Sequence, residues 1–254
     1  MRDPTSALLV LTLTALTPAA ARAQTVGAFD VASVLHEDTP RTYVRTQVTG
    51  HTFVAEGATA AILIRYAYDL KDFQLTGGPD WIYDRGTQFS VRATFAGDAT
   101  LEQVRTMVRQ LLAERFALKV RSERKQGSTF ELSVARNGAK LTPAKGDNPS
   151  RRGCFPFPAT CTDVSMADFA EYLSAIVLSQ VVADKTGLDG RYDLTVTWFP
   201  DDSQFRGNGG RGFFAGDGPS LFTALQEQVG LQLRPMKGDI PVVVVEAVET
   251  PSAN

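Results

Sequence analysis

Few side chains in this chain have the types and spacing that chemistry needs. Its 254 residues include two cysteines, Cys154 and Cys161, and two histidines, His36 and His51. The cysteines flank Phe155-Pro156-Phe157-Pro158-Ala159-Thr160. In an oxidising compartment such a pair reads as a local disulfide. Closing so short a loop removes little chain entropy, so the expected bond rigidifies a turn more than it holds up a fold. The histidines lie far from the cysteines in sequence and show no ligand spacing, so no metal site is expected.

Nucleophilic and phosphate chemistry find no footing either. No Gly-x-Ser-x-Gly elbow occurs. A Ser-His-Asp site would have to use His36 or His51, with no activated serine signalled. The loop Gly207-Asn208-Gly209-Gly210-Arg211-Gly212 lacks the Lys-Ser/Thr pair of a phosphate cradle and does not run directly into a helix. Asp201-Asp202 reads as a solvated loop pair. No catalytic residue and no cofactor are expected.

Recognition surfaces are the better candidates. Asp189-Gly190 is a hairpin signal between Val181-Val182 and Leu194-Val196. Asp184, Lys185, Arg191 and Asp193 then pair across that turn, or together with Tyr192 form a polar recognition loop. Trp81 closes the turn Gly77-Gly78-Pro79-Asp80, either anchoring it to the core or offering a contact. Phe205, Phe213 and Phe214 lie in the glycine loop, and Phe155 and Phe157 between the cysteines. Exposed loop phenylalanines mark partner sites; the same residues also serve as loop anchors when they fold back.

The elements that must position these residues alternate along the chain. Phe29 to Val34 alternates apolar and polar, as a half-buried strand does. Tyr43 to Val54 is a weaker strand region. Thr59 to Leu70 reads as a helix capped by Thr59. Phe89, Val91, Ala93 and Phe95 alternate along a strand. Thr100 to Arg115 is the clearest helix, with a Thr100–Gln103 capping box and an apolar stripe through Val104, Val108 and Leu111. Leu118–Arg121 and Thr129–Ala135 are strands, joined as a hairpin by the turn Lys125-Gln126-Gly127-Ser128. Residues 138–163 read as a loop. Ser165 to Val177 is a helix, Tyr192 to Trp198 a strand, and Pro219 to Val229 a helix stopped by Gly230. Leu231–Leu233 and Val242–Val245 close the chain as strands.

A faint repeat runs through this order. Helix end, Phe116-Ala117-Leu118-Lys119-Val120, basic turn and Phe130-Glu131-Leu132-Ser133-Val134 recur as helix end, Val229-Gly230-Leu231-Gln232-Leu233, turn and Val243-Val244-Val245-Glu246-Ala247. The two register at a constant offset without gaps.

The N-terminus adds a compartment. Arg2, an apolar run from Ala7 to Leu16 and the small residues Ala21 and Ala23 read as a secretory signal peptide over residues 1–23, cleaved before Gln24. The alternative is a retained anchor, although the run falls short of the ~20 residues a span needs. No later segment is long and apolar enough to cross a membrane. The whole sequence is 43% hydrophobic and 21% charged, with net charge −2. That is ordinary globular composition without the basic field that nucleic acid or an anionic membrane requires.

Several stretches resemble a known family. They are Phe29 to Val34, Gly77 to Trp81, Leu111 to Phe116, Asp184 to Asp193, Ser220 to Gln228 and the ending Val248 to Asn254. Together they are similar to a domain-of-unknown-function family of exported proteins, expanded in soil bacteria. The resemblance covers nearly all of the mature chain and implies no established activity. In some members a similar domain is joined to an antirepressor-type membrane metallopeptidase, which implies an extracytoplasmic sensing or binding role. This chain carries no His-Glu-x-x-His of such a peptidase. The helix–strand–strand modules are also distantly similar in topology to the short periplasmic domains that precede secretins and TonB-dependent receptors.

The expected fold is therefore α+β: repeated helix–strand–strand modules with mixed or antiparallel sheets that must pack on one another to bury their faces. The expected organisation is a signal peptide over 1–23, N-terminal modules over 24–140, a disulfide loop and linker over 141–164, and C-terminal modules over 165–254. The expected function is a periplasmic or secreted, non-enzymatic binding module for an unknown envelope protein or small ligand. The rival is an extracytoplasmic hydrolase acting on envelope or polymeric material. A deep cleft of convergent titratable groups favours the rival, and shallow surfaces with exposed aromatics favour the binder.

Overall fold

The computed structural model describes residues 27–145, 152–155, 158–205 and 218–251. The expected signal peptide, Phe157, Phe213 and Phe214 lie outside the described residues. Strand β1 (Val31–His36) is followed by the hairpin β2 (Arg45–Thr49) and β3 (Thr52–Ala58). Helix α1 (Ala60–Tyr68) is capped by the Thr59 hydroxyl, which accepts from the Ile62 amide. Then come β4 (Leu75–Gly77), β5 (Phe89–Thr94) and α2 (Leu101–Arg115), which starts on the expected Thr100–Gln103 capping box. The second half holds β6 (Lys119–Val134), β7 (Thr142–Pro143), β8 (Gly153–Phe155) and β9 (Ala159–Val164). It continues with α3 (Met166–Tyr172), prolonged by a π turn over Leu173–Leu178, then β10 (Val182–Asp184) and β11 (Tyr192–Val196). Helix α4 (Leu221–Ala224) passes through a π turn to Gly230, and β12 (Leu231–Ala247) ends the order.

The chain is α+β, and it is built twice. One four-stranded sheet runs β1-β5-β3-β2 and another β7-β11-β9-β8, with the same antiparallel pairings in the same places. Each sheet packs beside two helices that occupy equivalent positions in the order. Even the irregularities repeat. Strand β3 bulges at Gly57 and β9 bulges at Asp163, both with positive φ.

The third sheet joins the halves. Strands β6 and β12 form one antiparallel ribbon from Lys119–Ala247 to Val134–Leu231, with β10 added parallel to β6 and β4 parallel to β12. Each long strand leaves its own lobe and completes the other. The first core gathers Phe53, Ile64, Phe89, Met107 and Phe116, and receives Val243 and Val245 from β12. The second gathers Phe169, Leu173, Trp198 and Leu225, and receives Leu132 from β6 beside its own Leu231 and Leu233. Apolar burial of this kind contributes roughly 1.5–3 kcal/mol per large side chain, so each lobe draws part of its core from the other's strand.

Three local expectations are overturned. Lys125–Ser128 is no turn: it is the middle of β6, and Gly127 faces Gly238 across the ribbon. The polar composition is that of a ribbon exposed at its centre. Within the expected loop over residues 138–163, the described residues include three strands, β7, β8 and β9, and in β9 Cys161 and Ala159 turn into the second core while Thr160 and Thr162 are less buried. Asp189-Gly190 makes no hairpin either. Strand β10 joins β6, and β11 joins β9 and β7, so the two flanking strands belong to different sheets.

Candidate functional site

Where the ribbon leaves the first lobe it forms the floor of an open groove of about 480 Å³. Tyr68, Leu70 and Gln74 make one wall, and Ser122, Glu123, Arg124 and Pro241–Val243 line the rest. Tyr68 comes from the end of α1, which stops at Asp69 in the left-handed region. The Arg109 guanidinium lies 5.3 Å from the Tyr68 ring centroid, a distance at which a cation attracts the ring face. Burial pushes the Tyr68 hydroxyl pKa up. Gln74 Nε2 donates to Pro241 O at 3.1 Å, holding this wall to the ribbon edge. The result is a half-apolar trough with a cationic and an anionic side chain at its rim. Such a surface holds an extended or amphipathic ligand by packing and a few polar contacts.

The second lobe carries a closed charge cluster. Asp163 is buried and sits at φ 50° in the β9 bulge. Its carboxylate accepts from Arg152 Nε at 2.7 Å and Arg191 Nε at 2.8 Å, and its amide donates to Asp193 Oδ1 at 2.9 Å. Arg191 also donates to Asp163 O and to Asp168 Oδ2, the latter at 3.3 Å. Hydrogen bonding by Arg152, then by Arg191, holds the Asp163 carboxyl below its ordinary range. Asp168 is lowered chiefly by the Ser165 amide of its capping box. Paired in this way, the carboxylates tie β8, β9, β11 and the start of α3 together.

The residues singled out from sequence scatter. Arg191 is drawn into the Asp163 cluster. Tyr192 is half-buried against the second core, with its hydroxyl donating to Asp189 O at 2.7 Å. Asp184 turns back on its own loop, accepting from the Thr186 amide and hydroxyl. Lys185 is exposed, and its amide donates to Leu132 O. Trp81 packs on the first core, edge-on to Phe89. Phe205 takes the second of its two expected roles: it is 5% exposed and stacks on Trp198 at 6.0 Å, an anchor that fills the second core. Phe155, by contrast, is 72% exposed.

The expected Cys154–Cys161 disulfide is present. It does more than stiffen a turn, because the two residues are direct partners in the β8–β9 pairing and Cys161 lines the second core. The histidines are exposed: His36 lies edge-on to Phe89, and His51 Nδ1 bonds Gly97 O at 2.8 Å. Among the described residues no three of His, Cys, Asp and Glu gather as metal ligands would.

Sequence reasoning missed the groove and Asp163. The groove joins residues far apart in the chain that meet only through the ribbon. Asp163 stands where the first repeat has Gly57, and that alignment was the one available signal.

A family model described as a protein of unknown function, DUF3738, matches residues 61–248, from α1 to just past the end of β12. No curated protein and no solved structure matches the chain.

Proposed function

We propose that this chain, which belongs to the DUF3738 family of proteins of unknown function, is an exported, non-enzymatic binding protein. The observation that carries the reading is the groove at the root of the ribbon. It is open, walled by Tyr68 and Leu70, and edged by Gln74, Ser122 and Arg124. Surfaces of this make-up recognise a partner chain or a small ligand through packing and a handful of hydrogen bonds.

Export is supported by the small residues Ala21 and Ala23 after the apolar run. It is also supported by the disulfide, which persists in oxidising compartments. The periplasm or the extracellular medium is the proposed location, and an envelope protein or small ligand the proposed partner. A sensory role suits the resemblance to domains joined to membrane metallopeptidases.

Capture of envelope components on immobilised mature protein tests the reading, with Tyr68→Ala as control. The expected result is a specific envelope ligand whose retention falls at least about tenfold in the variant. Turnover in a broad hydrolase screen, abolished by one point change, replaces this reading with an enzyme. Enlarging Ala21 and Ala23 is expected to block processing, and normal processing of that variant counts against export.

A further inference from the structure

We propose that the outer edge of β6 between Ser122 and Ser128 is a strand-addition site for an extended, acidic segment of a partner protein. This rests on the reading of the chain as a binding protein and names its partner's chemistry.

Alternate residues of an antiparallel strand turn both backbone groups away from their partner. Phe130 N donates to Val181 O and Leu132 O accepts from Lys185 N, each at 2.8 Å, so the even-numbered residues of β6 face outward. Ser122, Arg124, Gln126 and Ser128 therefore present their N–H and C=O groups on that side. All four are exposed, and among the described residues no strand or backbone group meets them there.

The repeat supplies an internal comparison. On β12 it is the odd-numbered residues that face outward, as the bond from Gly78 N to Val245 O shows. Ser122 maps onto Pro235 and Ser128 onto Pro241. At those two positions β12 has lost its outward donors, and Gln74 covers the Pro241 carbonyl. Proline is a common device for closing a strand edge. One edge of the ribbon is closed by it, and the related edge carries serine at both places.

The charge on the open edge selects the partner. Lys119, Arg121, Arg124 and Lys125 stand against one carboxylate, Glu123. Arg121 is occupied by Glu123 at 2.6 Å and Glu246 at 3.1 Å. Lys119 and Arg124 have no carboxylate partner among the described residues, whereas Lys125 Nζ donates to Thr76 Oγ1 of β4 at 3.4 Å. Cations along an edge repel a neutral or basic strand, but they steer and register an acidic one. Ser122 and Arg124 also line the groove, so an added strand runs along its margin.

The test uses full-length mature protein and a fluorescent nine-residue peptide alternating Glu with Val or Thr, read by anisotropy. Controls are the same peptide with Lys for Glu, and the protein variants Ser122→Pro with Ser128→Pro, and Arg124→Glu with Lys125→Glu. The proline variant copies residues that β12 already accommodates, and circular dichroism checks that it folds. The acidic peptide is expected to bind, the lysine peptide not to bind, and each variant to weaken binding at least about tenfold. Bound peptide is expected to slow hydrogen exchange at the amides of residues 122, 124, 126 and 128. Undiminished binding by the proline variant, equal binding of both peptides, or no binding by the unaltered protein overturns the proposal. Envelope capture that survives the proline variant but falls in Tyr68→Ala also overturns it, while leaving the broader binding reading intact.

Discussion

Gln126 and Asp239 face each other across the ribbon, joined by a bond from Gln126 Nε2 to Asp239 Oδ1, and each is the other's counterpart in the repeat. A residue that is at once partner and duplicate lies on a two-fold axis. That axis passes through the middle of the β6–β12 ribbon and relates the two lobes. It explains why both cores lie on one face of the ribbon, Val243 and Val245 at one end, Leu132, Leu231 and Leu233 at the other. The arrangement is that of a strand-exchanged dimer folded within one chain.

Exchange of this kind makes the lobes interdependent. Trp81 reports on the first core and Trp198 on the second. With 5-fluorotryptophan at both positions, the two fluorine signals are expected to change at the same urea concentration. Val243→Ala and Leu233→Ala, which empty opposite cores by about 1–4 kcal/mol, are each expected to shift both signals together. Separate midpoints for the two tryptophans would show that the lobes unfold independently.

The repeat also places Ala117 opposite Gly230. Both end a helix with positive φ, 47° and 65°. A Cβ in that region costs roughly 1–2 kcal/mol, less the extra chain entropy that glycine brings to the unfolded state. Ala117→Gly is therefore expected to stabilise by about 0.5–1 kcal/mol. Gly230→Ala meets a second obstacle, because its Cβ would lie 2.1 Å from Gly138 O. Loss of about 2–3 kcal/mol is expected there. Equal and opposite effects in urea midpoints would contradict the difference in surroundings.

Helix positions and caps were legible because their signals are local. Thr59, Thr100 and Ser165 cap as their side chains dictate, and Gly230 stops α4. The offset between the repeats was visible as well. What escaped was long-range pairing. Lys125–Ser128 looks like a turn because its polarity suits both a turn and an exposed ribbon, and only Gly238 opposite decides between them. Phe205 reads equally as bait or anchor until Trp198 is seen beneath it. Arg191 reads as loop charge until β9 brings Asp163 within 2.8 Å.

The disulfide closes a separation of 7 residues. By loop entropy alone such a bond contributes about 2–3 kcal/mol for so short a loop. Because it joins β8 to β9 above the second core, reduction is expected to lower the unfolding free energy by that amount, read as a lower urea midpoint at unchanged slope, and to loosen both lobes together. A reduced protein as stable as the oxidised one would confine the bond's role to the turn.

Acid should weaken this fold, and Asp163 should be a main source of that weakness. Arg152, then Arg191, hold its carboxyl below the ordinary 3.8. Asp168 is lowered chiefly by the Ser165 amide, and Glu37 chiefly by the Ser90 hydroxyl. A carboxyl whose pKa is depressed in the folded state adds stability above its unfolded-state pKa. That contribution is lost as pH falls through the folded value. The urea midpoint is thus expected to hold from pH 7 to about 5 and to fall below about pH 4. Asp163→Asn removes the titrating group and leaves Arg152 and Arg191 facing an amide. It is expected to start lower at neutral pH and to decline less steeply, so that the two curves converge in acid. Parallel curves would mean that the acid sensitivity lies elsewhere.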